Sequence, residues 1–191
     1  MIFEKEFLYH IYNQGNNKQI IFYNRDNFLF FLKKVKEYIL PYADILAWCL
    51  MPNHFHLMIF LTNTHRVTSS HPVSKRSINN SIAILLRSYT RAINKQEKKS
   101  GALFRESTKA ECINCFTGIK PSFIQSNLLI NNLLPKKQYP QICFNYIHQN
   151  PLKANLVKNV VDWEFSSAKD YAGLRNGKLI NKEIAQEYVD F

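Results

Sequence analysis

The stretch that decides the fold is Ile45-Leu46-Ala47-Trp48-Cys49-Leu50-Met51-Pro52-Asn53-His54-Phe55-His56-Leu57-Met58-Ile59. Its apolar first part predicts a buried β-strand, the Pro-Asn pair predicts a turn, and the remainder to Leu61 predicts a second strand. Alternate side chains of a strand share a face, so we expect His54 and His56 on one face and Phe55 on the other. Two imidazoles about 7 Å apart along a strand can share one metal ion. A bare pair of this kind is more often structural, so the pattern needs a third ligand and a reactive group.

A second polar motif lies further along the chain, in Phe144-Asn145-Tyr146-Ile147-His148-Gln149-Asn150-Pro151. Pro140 suits the first turn of a helix, and Pro151 disfavours helical geometry at the residue before it, so we predict a short helix that ends at about Asn150. Tyr146 and Asn150 are four residues apart and share one face of that helix. The side-chain oxygen of Asn150 could complete a metal site with the two histidines, one turn from Tyr146. The ordinary alternatives are a core tyrosine and an asparagine that only closes the helix.

These two motifs occur in a fixed order with several other segments. The further segments are Gly15-Asn16-Asn17-Lys18, Ser88-Tyr89-Thr90-Arg91-Ala92-Ile93-Asn94-Lys95, Gly101-Ala102-Leu103-Phe104, residues 152–157, Asp162-Trp163-Glu164-Phe165-Ser166-Ser167 and Asp170-Tyr171. In this order the sequence resembles the single-tyrosine HUH transposases, and within them the REP-associated tyrosine transposases and their bacterial relatives. The resemblance spans most of the chain, so it is more specific than either short motif.

The resemblance implies a fold of the α+β class. It implies a ferredoxin-like antiparallel sheet with helices packed on its faces. A length of 191 residues suits one domain. We place that domain over residues 1–191, with a core of about 7–171 and a C-terminal extension over 172–191.

The resemblance also implies a reaction and its residues. The family cleaves and rejoins single-stranded DNA by metal-assisted transesterification through a 5′-phosphotyrosine. Tyr146 corresponds to the nucleophile, and His54, His56 and Asn150 correspond to the metal ligands. A phenolic oxygen leaves more easily than an alkoxide, so the intermediate can pass its strand to a new 3′-hydroxyl. The cofactor would be a divalent metal ion: two imidazoles favour manganese, and its availability in the cell favours magnesium.

Three features depart from the family pattern. After the Gly-x-Leu-Phe segment the chain has Arg105-Glu106-Ser107-Thr108, where the family usually has a further aromatic residue beside an arginine. The connections over residues 62–77 and 114–139 are longer than usual. Asn155 stands where a glycine is common, and asparagine tolerates the left-handed conformation. The departures bear on DNA specificity more than on chemistry.

Two other functions would use the same residues. A domesticated, non-catalytic protein that binds hairpin DNA would be marked by the loss of a metal ligand or of the tyrosine, and the sequence retains them. An HUH-type site-specific nickase would keep the whole site and differ only in the fate of the cleaved strand. In every case the partner is single-stranded or hairpin DNA, and both a monomer and a homodimer remain open.

The charge of the chain favours a polyanionic partner. Its formal net charge is +11, from 25 Lys and Arg residues against 14 Asp and Glu residues. Arg87, Arg91 and Lys95 recur at every fourth position of a predicted helix, and Lys98 continues the row. Such a row is either a solvated helical face or a surface that follows DNA phosphates.

Apolar runs and cysteines indicate the compartment. No apolar run reaches the roughly 18 residues needed to span a membrane, and residues 1–6 lack a signal-peptide pattern. We therefore predict a cytoplasmic protein without a membrane partner, in which the cysteines are reduced thiols. The alternative for Cys112 and Cys115 is a zinc knuckle completed by Cys143 and His148.

Periodicity and capping residues predict the other elements. These are strands over Phe7–Asn13 and Gln19–Tyr23, a helix from Asn24 or Asp26 to about Ile39, a long helix over about Ser77–Lys99, a strand from Ala102 into Ile113, a packed and partly helical segment within 114–139, and a last helix near Asn181. Tyr89 lies on the apolar stripe of the long helix, which favours a packing role and argues against catalysis.

Overall fold

The computed structural model describes residues 2–62, 77–115 and 138–191. The predicted surface loop over 62–77 and the predicted packed segment within 114–139 lie almost entirely outside these residues. In the described part, a four-stranded antiparallel sheet has the strand order β2-β3-β1-β4. The strands are β1 (Leu8–Gln14), β2 (Ala43–Met51), β3 (His54–Leu61) and β4 (Lys109–Cys112).

Five α-helices complete the fold of the described residues. They are α1 (Arg25–Tyr38), α2 (Ile78–Gln96), α3 (Gln138–Lys153), α4 (Ala168–Tyr171) and α5 (Lys182–Ala185). The first six of these strands and helices follow the order β1-α1-β2-β3-α2-β4, which together with the strand order is the ferredoxin-like arrangement. The predicted α+β fold is confirmed.

The central hairpin forms as its sequence predicts. β2 and β3 pair in antiparallel register, with Met51 opposite His54 and Cys49 opposite His56. Every residue of β2 is buried, because both faces of this strand are covered. The two-residue connection is Pro52-Asn53, so β3 begins directly with the first histidine.

The two faces of the sheet carry different helices. On one face, Ile11, Phe55 and Leu57 belong to a core shared with α1 and α2. On the other face, Leu8 and Met58 belong to a core shared with α3 and α5. Since side chains alternate along a strand, His54 and His56 share the face of Met58 and so the face of α3.

Local capping defines both long helices. The Asn24 side chain accepts a hydrogen bond from the Asn27 amide at the start of α1, and the Ser77 side chain accepts one from the Asn80 amide at the start of α2. Such caps satisfy backbone donors that a helix leaves without an internal partner. Both predicted helix starts are confirmed. Asn181 likewise caps α5.

The structure corrects three predicted boundaries. Residues 19–23 form no strand, because the amides of Ile21 and Phe22 both donate to the Pro52 carbonyl at the hairpin turn. The strand predicted over 102–113 is limited to β4. Helix α3 continues past Asn150 to Lys153: Pro151 lacks one amide donor, but the Ala154 amide still donates to the Asn150 carbonyl at 3.0 Å.

The cysteines differ from the expected set of reduced thiols. Cys112 and Cys115 are joined in a disulfide with a Cα–Cα distance of 5.8 Å, because the two-residue spacing brings them into bonding range. Cys49 and Cys143 are free and buried. The zinc-knuckle alternative is wrong, since the disulfide uses the Cys112 and Cys115 sulfurs that would bind zinc.

The C-terminal residues pack on the hairpin and on α1. The Phe165 ring stacks on Phe28 with a centroid distance of 3.9 Å, and the Tyr171 hydroxyl donates to the Leu46 carbonyl. Asn155 has a φ of 55°, the left-handed conformation that asparagine tolerates. None of the helices described is long and apolar enough to cross a bilayer.

Candidate active site

Two histidines of β3 and one tyrosine of α3 meet on one face of the sheet. The ring centroids of His54 and His56 are 5.0 Å apart, and those of His56 and Tyr146 are 5.4 Å apart. All three rings line a cavity of about 330 Å³. Residues about ninety positions apart in sequence are therefore neighbours.

Asn150 joins the tyrosine to the first histidine. Its side chain lies within hydrogen-bonding reach of the His54 ring and of the Tyr146 side chain. The side-chain nitrogen Nδ2 of Asn150 donates to the backbone carbonyl of Tyr146, one helical turn earlier, at 2.8 Å. The four-residue spacing thus places Tyr146 and Asn150 on the same face of α3, as predicted.

The turn before β3 orients the His54 ring. The side-chain nitrogen of Asn53, Nδ2, donates to the Lys18 carbonyl at 3.3 Å. This contact directs the side-chain oxygen Oδ1 of Asn53 at His54. His54 Nδ1 lies 2.6 Å from that oxygen and therefore carries the hydrogen. The lone pair of the ring is then on Nε2.

A third histidine contacts the Nδ1 atom of the His56 ring. His10 on β1 is 1% exposed, and its Nε2 lies 2.9 Å from His56 Nδ1 with one hydrogen shared between them. The opposite ring atom, His56 Nε2, is buried and has no hydrogen-bond partner among the described residues. Both β3 histidines thus use Nδ1 for a neighbour in the protein.

Burial keeps these histidines neutral. It lowers the pKa of His54, an effect that the Asn150 hydrogen bond partly offsets. Burial lowers the pKa of His56 well below its ordinary value, and repulsion from His10 and His54 adds to the effect. Burial also lowers the pKa of His10 to about 3. Neutral imidazoles with a lone pair on Nε2 are the form that binds metals.

The nucleophile predicted for this site keeps its proton at neutral pH. Burial raises the pKa of Tyr146, the Asn150 hydrogen bond lowers it, and the nearby Cys143 and Glu111 raise it further. Tyrosine already ionises only near pH 10. Chemistry at this hydroxyl therefore requires a neighbouring group that stabilises the phenolate.

These donors fit a divalent metal ion. His56 Nε2 is a buried nitrogen without a partner in the described residues, and Asn150 carries an amide beside His54. Two imidazole nitrogens and one amide oxygen suit a first-row transition metal and leave positions open for a substrate. His10 and Asn53 hold the Nδ1 atoms of the two rings, as the hydrogen-bond partners of metal-binding histidines commonly do.

Comparison with known proteins concerns the fold. No family model matches the sequence, and no curated protein matches it either. A solved structure of a REP-associated tyrosine transposase, bound to a REP hairpin, superposes with a TM-score of 0.56. This chain and the transposase therefore share one overall fold. Sequence identity is 15%, and the match covers 95% of this chain and 94% of the transposase.

The cavity also contains residues that sequence reasoning missed. Arg105, Ser107 and Lys109 line it from the β4 side. The Tyr12 hydroxyl, on the neighbouring strand, donates to Glu111 at 2.7 Å. Strand alternation could have put Tyr12 on the same face as His10, but the pairing of β1 with both β3 and β4 is a tertiary feature.

The predicted basic row lies elsewhere. Arg87, Arg91, Lys95 and Lys98 are exposed, and the first three belong to α2, which packs on the sheet face opposite the histidines. The structure therefore does not bring the row into the cavity. Its role in DNA binding stays a prediction.

Tyr89 and His148 both point into the core. Tyr89 is fully buried, and its hydroxyl donates to the Ile21 carbonyl at 2.7 Å, which agrees with the packing role predicted for it. His148 is also buried, and its Nε2 lies 2.7 Å from the Ser167 hydroxyl. Burial lowers the His148 pKa to about 4. His148 belongs to the packing between α3 and the C-terminal residues.

Proposed function

We propose that this protein is a DNA strand transferase that cleaves and rejoins single-stranded DNA through a 5′-phosphotyrosine on Tyr146. One observation carries the proposal: the two sequence motifs converge on a single cavity. His54, His56 and Tyr146 line it, and the Asn150 side chain interacts with both His54 and Tyr146. The fold shared with a tyrosine transposase supports it.

The reaction exchanges one phosphodiester for another. The Tyr146 oxygen attacks the scissile phosphorus, the bond from phosphorus to the 3′-oxygen breaks, and that oxygen leaves as a 3′-hydroxyl after it takes up a proton. The 5′-phosphate remains on the tyrosine. Attack by a different 3′-hydroxyl reverses these steps and restores the free phenol, so no external energy source is needed.

The chain's own residues prepare this attack. Asn150 holds the phenol of Tyr146 by a hydrogen bond that lowers its pKa. His54, His56 and Asn150 would hold a divalent metal ion, with the two rings kept in orientation by Asn53 and His10. When bound, that ion supplies positive charge for a non-bridging phosphate oxygen and for the phenolate.

Charge and comparison support DNA as the substrate. The net charge of +11 favours a polyanion, and the transposase with the same fold was solved with a REP hairpin bound. We propose single-stranded DNA beside a hairpin as the substrate, since unpaired bases can be recognised directly.

A covalent adduct tests the proposal. A pool of hairpin-flanked single strands, labelled at the 3′ end, is incubated with the protein and Mn²⁺ and then denatured. The labelled 3′ fragment carries the 5′-phosphate and should migrate with the protein. Tyr146→Phe should abolish the adduct while DNA binding persists, and the matched variant Tyr89→Phe should retain it.

The same assay separates the alternatives. A hairpin-binding protein without catalysis would bind the pool and form no adduct, which would overturn the proposal. A nickase would form the adduct but would not transfer it to an added strand with a free 3′-hydroxyl. Adduct formation in Tyr146→Phe would also refute the assignment.

A further inference from the structure

The β4 side of the cavity carries two cations, Arg105 and Lys109, close to the histidines. Tyr12 of β1 pairs with His56 on one side and with Lys109 on the other. These three residues therefore form one row across the sheet, with their side chains on the same face. Two strand spacings separate the His56 and Lys109 backbones, a distance of about 10 Å.

The segment that leads into β4 is fixed to the end of β1. Asn13 is 4% exposed, and its amide nitrogen donates to the Arg105 carbonyl at 3.1 Å and to the Thr108 hydroxyl at 2.9 Å. The Arg105 amide donates to the Gln14 carbonyl at 2.9 Å. The backbone of residues 105–108 is thus held in place, and it directs Arg105 and Ser107 at the cavity.

The two cations of this region are available to a ligand. Arg105 and Lys109 are exposed, and no carboxylate of the described residues forms an ion pair with either. Elsewhere in the described chain, Arg25 pairs with Glu164 and Arg175 pairs with Asp170. Exposed cations on the rim of a cavity favour phosphate oxygens, and arginine can bind them in a bidentate manner.

From this arrangement we infer that Arg105 and Lys109 form a phosphodiester subsite. It would bind the DNA strand that continues from the phosphate at Tyr146, across β1 toward β4. The inference rests on the proposed function and adds the path of the strand. The row on α2 lies on the opposite face of the sheet, so it is a separate surface.

Binding measurements with an inactive protein test the subsite. In the Tyr146→Phe background, the affinity for a labelled single strand is measured between about 50 and 200 mM salt. Arg105→Gln with Lys109→Gln should reduce the slope of log affinity against log salt by about 1.4, since each phosphate contact to a single strand contributes about 0.7. The matched control is Lys33→Gln with Lys36→Gln, which removes the same charge from exposed positions on α1 and should leave the slope nearly unchanged.

A neutral-backbone scan locates the contacts. Methylphosphonate linkages are placed one at a time along the strand. In the Tyr146→Phe protein, neutral linkages on one side of the cleavage site should weaken binding several-fold, and the Arg105→Gln, Lys109→Gln variant should no longer respond to those same linkages. Equal slope changes in both double variants, or an unaltered methylphosphonate pattern, would overturn the subsite.

Failure of the subsite is distinguishable from failure of the proposed function. The adduct assay on the unaltered protein reports the reaction at Tyr146, whereas the salt dependence of binding reports the phosphate contacts. An adduct with an unchanged slope would refute the subsite alone, whereas a reduced slope without any adduct would support the subsite and refute the strand transferase. Since Arg105 and Lys109 are exposed, as are Lys33 and Lys36, both double variants should melt at the temperature of the Tyr146→Phe parent. If the Arg105→Gln, Lys109→Gln variant melts lower, Lys109→Gln alone is used, with an expected slope change of about 0.7.

Discussion

Replacement of His10 by phenylalanine should weaken metal binding and leave the protein folded. Phenylalanine retains an aromatic ring against Tyr12, whose centroid lies 4.8 Å from that of His10. It removes both ring nitrogens, including Nε2, which lies 2.9 Å from His56 Nδ1. The His56 ring then loses the contact that sets its orientation and the position of its hydrogen, and Nε2 is no longer fixed as the ligand atom.

The magnitude can be worked out from the geometry. Loss of the hydrogen-bond partner behind a metal ligand typically lowers metal affinity about 10- to 100-fold, which corresponds to about 1.4 to 2.8 kcal/mol. The buried His56 Nδ1 also loses its hydrogen-bond partner, which costs about 1 to 3 kcal/mol of folding stability. Most domains are stable by about 5 to 15 kcal/mol, so the variant should stay folded.

Titration with Mn²⁺, followed by calorimetry or by the loss of the free-ion electron paramagnetic resonance signal, measures this effect. The matched control is Tyr12→Phe, which removes the hydroxyl that donates to Glu111 and keeps the aromatic ring against His10. A His10→Phe protein that binds Mn²⁺ as tightly as the parent would refute the positioning role of His10. Absence of Mn²⁺ binding in the parent would refute the metal site itself.

Other predictions concern the site and the fold. Chelation of divalent ions should abolish the covalent adduct and added Mn²⁺ should restore it, whereas His56→Ala should abolish it at any Mn²⁺ concentration without loss of the circular dichroism spectrum; full activity in chelator would contradict this. Gly15→Ala should lower the free energy of unfolding by about 1 to 3 kcal/mol, because its Cβ would lie 2.1 Å from the Gln19 carbonyl oxygen, and an unchanged urea midpoint would contradict that close approach. Burial raises the pKa of Tyr89, so above about pH 10 only the unfolded chain loses this proton. The free energy of unfolding should therefore fall with rising pH by up to about 1.4 kcal/mol per pH unit. In urea melts at about pH 9 to 11, it should fall less steeply for Tyr89→Phe than for the parent.

The elements that the sequence predicted depend on neighbours in the chain. The alternation of His54 and His56 with apolar residues indicates a strand, and a Pro-Asn pair indicates the turn before it. Asn24 and Ser77 begin helices because their side chains bind amides three residues on. These interactions need no distant partner, so the strand, the turn and the helix starts could be predicted closely.

Predictions were wrong where a distant group competes for the backbone. The segment 19–23 has a strand-like composition, but its amides donate to the Pro52 carbonyl and never join the sheet. Pro151 indicates a helix end, yet α3 continues because only one backbone donor is lost there. Local preference is weaker than the tertiary contacts that form in the folded chain.

By itself the sequence thus determined the face shared by the two β3 histidines and the face shared by Tyr146 and Asn150, and the resemblance of its motifs to a known family implied the ferredoxin-like fold. Only the tertiary structure brought those two faces together, because the contact depends on α3 packing across β2 and β3. The order of strands in the sheet likewise put His10 behind His56 and Lys109 beside Tyr12. Side-chain periodicity specifies a face within one element, whereas the partner of that face is decided by which elements pack against each other.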